Sequence, residues 1–251
     1  MKKLFLSCLA LLVLFSTQLH ASDAISQITI LSEGWEGATH EDGSGFYWDL
    51  CRLIYEPRGI KVNYKVMPYK RTVEQVRNKQ GDAWLGSYAN EVDFPIYPKW
   101  HYDSDIVTAL FKKNTVKKWT GEASLKGKKV GWIRGYAYDN YLEVAVEKRE
   151  LNSRGSALAM LQKGRIDFFV DADVDIEDVI TKKKFDTTDY QMETVLTLHL
   201  YLAFANTSRG KKLAKIWDQR IMELHKSGKL KALYEKAEYT SYPVYNKLPN
   251  L

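Results

Sequence analysis

Cysteine is scarce in this chain of 251 residues, which holds only Cys8 and Cys51. Cys8 lies inside an N-terminal apolar run that reads as a leader, and removal of that leader would leave Cys51 alone. No intramolecular disulfide is then available, so stability has to come from buried cores. Long apolar runs are equally rare. Leu4 to Phe15 is too short to span a bilayer, which takes about 20 residues, and no later run approaches that length. Charge of one sign is concentrated nowhere. The 37 basic and 31 acidic residues give a formal net charge of +6. Basic pairs such as Lys112-Lys113, Lys117-Lys118 and Lys128-Lys129, and the run Lys182-Lys183-Lys184, are scattered among acids. A nucleic-acid surface needs its basic residues on one face, so no nucleic acid is expected as a partner. His40, His101, His199 and His225 are dispersed, with no metal-ligand spacing and no Ser-His-Asp pattern. No metal, no cofactor and no enzymatic activity are expected, although an enzyme is kept as the weakest alternative.

What is present begins with MKKLFLSCLALLVLFSTQLHA. Lys2-Lys3, the apolar run and the small Ala21 have the order of a secretory signal peptide over residues 1–21. Leu19 is large for the position before cleavage, which leaves a retained anchor as the alternative. Export would make the protein periplasmic. The leader holds two lysines and no acids, so the chain without it carries a formal +4.

The remaining sequence alternates short β-rich runs with helical patterns, as in α/β proteins with mostly parallel sheets. Strands are predicted at 28–33, 61–68 and 82–87, with helices at 46–59 and 69–81 between them. An extended run follows at 106–114. The pattern then restarts with a strand at 129–135, helices at about 139–149 and 156–165, a strand at 166–173 and a helix at 174–184. A long strand at 197–207 and helices at 212–228 and 229–237 complete it. Two α/β halves, with the chain leaving and re-entering the first, predict two lobes joined by two extended crossovers. Lobe 1 would be 25–111 with 200–238, lobe 2 would be 112–199, and 239–251 would be a loose tail.

Five segments in this order, GFYWDLCRLI, QGDAWLG, SLKGKKVGWIRGYAY, LQKGRIDFFVD and SGKLKALYEK, resemble the periplasmic solute-binding proteins of family 3, found with polar amino acid transporters. The likeness runs over about Ile28 to Ala237. It implies a two-lobed fold of the type II periplasmic-binding class, each lobe a mostly parallel sheet flanked by helices, with two hinge crossovers. It also implies closure on a small solute between the lobes. Open α/β sheets bind ligands beyond the carboxyl ends of their strands, which is where candidate residues are sought.

After the first strand stand Glu33 and Trp35, a flat wall able to hold a cationic group by its π face. After the second, Tyr69 matches the family's second ligand-facing aromatic, and Arg71 could engage a carboxylate. After the third, Gly86 and Ser87 match ligand-meeting positions of the family, with Tyr88, Asn90 and Glu91 nearby. The family's carboxylate-binding arginine, however, falls on Phe94, and a ligand-contacting threonine falls on Ala89. In lobe 2, Gly135, Tyr136, Ala137 and Tyr138 lie between a strand and an expected helix, a turn that would aim backbone N–H groups at an anion. The family's amine-binding aspartate falls on Ala172, and Asp171 is taken in its place; Asp173 or Asp175 would cap the following helix. The resemblance implies a monomer that carries a small polar solute, an amino acid or a related amine or carboxylate, to a membrane permease of an ABC-type transporter. A ligand-sensing partner of a membrane signalling receptor is the alternative, and the resemblance also admits a dehydratase-like enzyme on the same fold as the weakest one.

Overall fold

The structure is a computed structural model and describes residues 24–239, 241–243 and 245. The leader expected at 1–21 lies outside the described residues. The chain forms strands β1 (Gln27–Ser32), β2 (Lys61–Val66), β3 (Ala83–Tyr88), β4 (Asp103–Lys112), β5 (Lys129–Ile133), β6 (Glu147–Leu151), β7 (Phe168–Ala172) and β8 (Tyr190–Phe204). Its helices are α1 (Phe46–Tyr55), α2 (Tyr69–Arg77), α3 (Arg154–Gln162), α4 (Asp173–Lys183), α5 (Ser208–Lys226) and α6 (Lys229–Lys236).

All eight strands join in one sheet in the order β2-β1-β3-β8-β4-β7-β5-β6. At one end β1 pairs in parallel with β2 and β3, and at the other β5 pairs in parallel with β6 and β7. These two parallel blocks are the sheets of two lobes, each covered by helices. Between them run β4 and β8, the two crossovers, antiparallel to each other from Asp103↔Leu200 to Lys112↔Tyr190. Because β4 pairs with β8 along its whole length and β8 runs on to pair with β3, the lobes share a continuous sheet. Val107 faces Leu196 while Thr108 faces Thr194. The extra residue, Val195, makes a bulge that bends the crossover pair midway between the lobes.

Local sequence explains most of the elements. Helix α1 buries Phe46, Tyr47, Trp48, Leu50, Cys51, Ile54 and Tyr55 and gives way to a short 3-10 turn at Glu56–Arg58, with Pro57 inside it. Helices α3 and α5 start where the hydroxyls of Ser153 and Thr207 accept from the N–H groups of Ser156 and Gly210. Helix α4 departs from expectation. Its N-cap is Ala172, with no side-chain cap, and Asp173 and Asp175 lie in its first turn. There they still complement the helix dipole.

Two segments are corrected. The helix expected at 139–149 does not form; a 3-10 turn spans Tyr138–Asn140, and Glu147–Leu151 is β6 instead. Parallel pairing along β5, from Lys129↔Glu147 to Ile133↔Leu151, supplies its backbone hydrogen bonds in place of a helical ladder. The C-terminal tail is not loose where it is described. Tyr239 stacks on Phe46 with ring centroids 4.2 Å apart, and the buried Tyr245 donates to the His101 carbonyl at 3.0 Å. Aromatic residues in the tail thus peg it to lobe 1.

The larger core runs through lobe 1 and continues into lobe 2 as far as Val130, Trp132 and Phe168, and a smaller one, including Leu158, Leu161, Phe169 and Ile176, lies beneath α3 and α4. Among the described residues no helix is long and apolar enough to cross a membrane.

Candidate functional site

The β1–α1 loop is folded around the buried Thr39. Its hydroxyl donates to the Glu33 carbonyl at 2.6 Å and accepts from the Trp35 N–H at 3.1 Å. This aims Trp35 across the end of β3, where Gly86 has φ +84 and a Cβ would meet the indole at 2.4 Å. Only glycine meets both demands. The β3–β8 pairing breaks here too, with Trp84 opposite Ala203 and Ser87 opposite Tyr201, so the bulge re-aims the strand end toward lobe 2.

Trp35, Tyr69, Gly86, Tyr88 and Tyr136, five of the residues singled out from sequence, line a cavity of about 70 Å³ between the lobes. That is room for a few water molecules. Tyr47, Asp105, Asp175 and Tyr239 complete much of its wall. The lobes also touch directly. The Trp35 indole donates to Tyr136 Oη at 3.2 Å, Tyr136 Oη to Glu33 at 3.4 Å, and Tyr141 Oη to the Ala89 carbonyl at 3.0 Å. Tyr88 and Tyr138 hydroxyls lie 3.3 Å apart, and Lys182 reaches Glu36 at 2.7 Å.

Several predicted site residues have other partners. Asp171 is fully buried and accepts from Arg154 Nε at 3.0 Å, so the carboxylate expected to meet an amine is already paired. Ser87 Oγ donates to Glu91 Oε2 at 3.2 Å. Gly86 N–H donates to Tyr102 Oη at 2.8 Å, and its carbonyl accepts from Tyr69. The anion-binding turn is also corrected. No α-helix follows it, Gly135 N–H donates to Glu150 at 3.3 Å, and Tyr136 N–H donates to the Ile133 carbonyl. Ala137 takes a left-handed conformation with φ 52, as does the exposed Asn90 with φ 60. Arg71 is exposed and does not line the cavity. Phe94 stacks on Trp84 beneath Arg77, whose guanidinium carbon lies 4.2 Å from the ring centroid.

Sequence reasoning missed the charged centre of the site. Arg154, at the start of α3, donates to Asp175 at 2.6 Å and to Tyr136 Oη at 2.8 Å, besides Asp171, and stands 3.7 Å from Glu33. Asp105, on β4, accepts from Tyr88 Oη at 2.7 Å. Asp103, two residues earlier on the same face, accepts from Tyr47 Oη at 2.7 Å and also from Ser241. Burial raises Glu33 and Asp171, with Arg154 opposing in each case. Burial also raises Asp105 to about 7, helped by Asp103, Asp171 and Asp173 and opposed by the Tyr88 hydrogen bond. Glu91, only 6% exposed, is raised by burial to about 7, although Tyr69, Tyr88 and Ser87 all donate to it.

Compared by sequence, the chain matches no family model and no curated protein. Compared by structure, it is similar to a histidine kinase sensor domain that itself resembles periplasmic binding proteins. The TM-score is 0.70 at 18% identity, over 88% of this chain and 100% of that one. It is also similar to an ABC uptake transporter substrate-binding protein of Streptococcus pneumoniae with bound histidine. There the TM-score is 0.66 at 17% identity, over 87% and 95% of the two chains. A third is an amino acid ABC transporter substrate-binding protein of the same organism bound to L-arginine, at TM-score 0.62 and 16% identity, over 87% and 97%. At these identities the likeness is one of fold: the chain has the α/β architecture of the periplasmic binding proteins.

Proposed function

We propose that the protein is an exported solute-binding protein that closes its two lobes on a small polar solute and presents it to a membrane permease. The observation that carries this reading is the interlobe cavity, walled from lobe 1 by Trp35, Tyr47 and Tyr69 and from lobe 2 by Tyr136 and Asp175. A solute bound there touches both lobes, so its binding energy favours the closed arrangement. Residues 25–111 with 200–238 form one moving body and 112–199 the other, bending at the β4–β8 bulge. The site works as a monomer and in the periplasm. No catalytic role is assigned; His101 and His199 stack on each other 4.1 Å apart and neither lines the cavity.

Thermal unfolding of the purified protein against amino acids, amines, dicarboxylates and short peptides tests the proposal. A solute at about 100 times its dissociation constant adds about 2.7 kcal/mol. A panel that leaves the midpoint unmoved, with no co-purified ligand by native mass spectrometry, removes the reading. A second reading, a ligand-sensing partner of a membrane receptor, is supported by the likeness to a sensor domain. It shares the cleft and differs in the protein that senses closure, so co-purification with a permease or with a receptor separates the two.

A further inference from the structure

If the cleft binds a solute as proposed, its free chemistry specifies the charge of that solute. Most side-chain donors around the cavity are committed. Tyr69 Oη at 2.6 Å, Ser87 Oγ at 3.2 Å and Tyr88 N–H at 3.2 Å all converge on one oxygen, Glu91 Oε2. This cluster is a carboxylate-binding site already filled by a side chain of the protein. Arg154 spends Nε and Nη2 on Asp171, Asp175 and Tyr136, and its Nη1 stands 3.7 Å from Glu33. The Trp35 indole N–H is spent on Tyr136, and the Tyr47 and Tyr88 hydroxyls on Asp103 and Asp105. An entering carboxylate would meet one uncommitted donor among these groups, Arg154 Nη1, which already faces Glu33, and would lose most of its hydration without replacement.

The acceptors are in surplus. Around the cavity two cations, Arg154 and Lys182, stand among five carboxylates, Glu33, Glu36, Asp105, Asp171 and Asp175. Among the described residues Asp105 and Asp175 each form hydrogen bonds through Oδ2 alone, and both border the cavity. The remaining wall is aromatic. Trp35 meets Tyr47 at 75° and Tyr69 at 48°, Tyr69 meets Tyr136 at 78°, and Tyr47 meets Tyr239 at 56°. Rings set at such angles enclose a space from several sides, the arrangement that offers π faces to a desolvated cation.

We infer that the solute is an organic cation, an ammonium or guanidinium head without a carboxylate beside it. Asp105 and Asp175 are its counter-charges, and Glu91 is the built-in carboxylate that keeps free carboxylates out. Asp105 and Asp175 come from the crossover strand and from lobe 2, so a cation between them draws the two together.

Calorimetric titration of the purified protein with choline, putrescine and agmatine, set against glycine betaine, L-glutamate, L-arginine and succinate, tests this. Choline and glycine betaine share a head and differ by a carboxylate, which makes them the decisive pair. At least one cation binds, and choline binds at least about tenfold more tightly than glycine betaine. Asp105→Asn, an isosteric change checked for cooperative unfolding, weakens cation binding by about tenfold or more. Glu91→Ala empties the donor cluster, so acetate raises the melting midpoint of that variant and not of the parent. If an amino acid, glycine betaine or succinate binds at least as tightly as every cation, solute binding stands and the charge assignment is wrong. Asp105→Asn with unchanged cation affinity also overturns it. If nothing in either arm binds, the solute-binding reading itself fails.

Discussion

Arg154 Nε lies 3.0 Å from Asp171 Oδ2, and Asp171 is completely buried. The pair joins the start of α3 to the end of β7, and Asp175 at 2.6 Å extends it to the first turn of α4. Removing one partner of such a pair leaves a buried charge without compensation, which costs about 3–5 kcal/mol. Arg154→Met should therefore lower stability by that order in urea denaturation. Arg154→Lys should recover little of it, because one ammonium cannot reproduce a fork that reaches Asp171 and Asp175 together. A Lys variant as stable as the parent would show that charge alone, without geometry, holds this corner.

The alternation of strands and helices was legible because most elements bury one face: Ala83–Tyr88 is an unbroken buried run, and α1 keeps its apolar spacing. Segment 139–149 misled because Leu142, Ala145 and Val146 fit the i, i+3, i+4 spacing of a helix, whereas the pairing that makes Glu147–Leu151 a strand is long-range. At the site the ring wall could be found, since aromatics after strand ends are visible in sequence. The ionic centre could not, because its partners come from β4, α3, β7 and α4 and meet only in the fold. Two local signals did exist. An arginine in the first turn of α3 sits at the wrong end of a helix dipole and needs acids nearby. Asp103 and Asp105 share a strand face once β4 is extended back by three residues.

Gly86 is the narrowest point of the design. With φ +84 and the Trp35 ring 2.4 Å from where a Cβ would stand, Gly86→Ala combines a left-handed backbone with a steric clash. The backbone strain alone is about 1–3 kcal/mol, and the indole must also swing away. Urea unfolding should show that loss, and tryptophan emission of the folded variant should shift as Trp35 leaves Tyr136. An unperturbed spectrum would mean that Trp35 is not seated on Gly86.

Glu91 gives the protein a defined pH dependence. Its carboxyl is raised from 4.5 to about 7, so between those values the folded state holds a proton that the unfolded chain releases. Stability from this group is full below about pH 4.5, falls as pH rises toward 7, and is lost above it. The span corresponds to about 3 kcal/mol. Asp105, raised to about 7, acts in the same direction. Glu91→Gln keeps an acceptor for Tyr69 and cannot ionise. Its stability relative to the parent should therefore be about 3 kcal/mol better at pH 8 than at pH 4. Parallel pH curves for the two proteins would place Glu91 in solvent.

Trp35 belongs to lobe 1, and the hydroxyl it meets belongs to Tyr136 of lobe 2, 3.2 Å away. It is thus both a wall of the cavity and a latch between the lobes. The two roles separate in variants. Trp35→Phe keeps a π face and loses the indole donor, whereas Trp35→Ala loses both. If the wall matters more than the latch, Trp35→Ala weakens solute binding by at least about tenfold, or about 1.4 kcal/mol, and Trp35→Phe by less. If the latch dominates, the two variants weaken binding equally. In that case small-angle scattering finds both more open in the presence of solute. Trp35 is only half-buried and Gly86 tolerates an empty neighbour, so both variants should fold. Affinity equal to the parent's in both would remove Trp35 from the site.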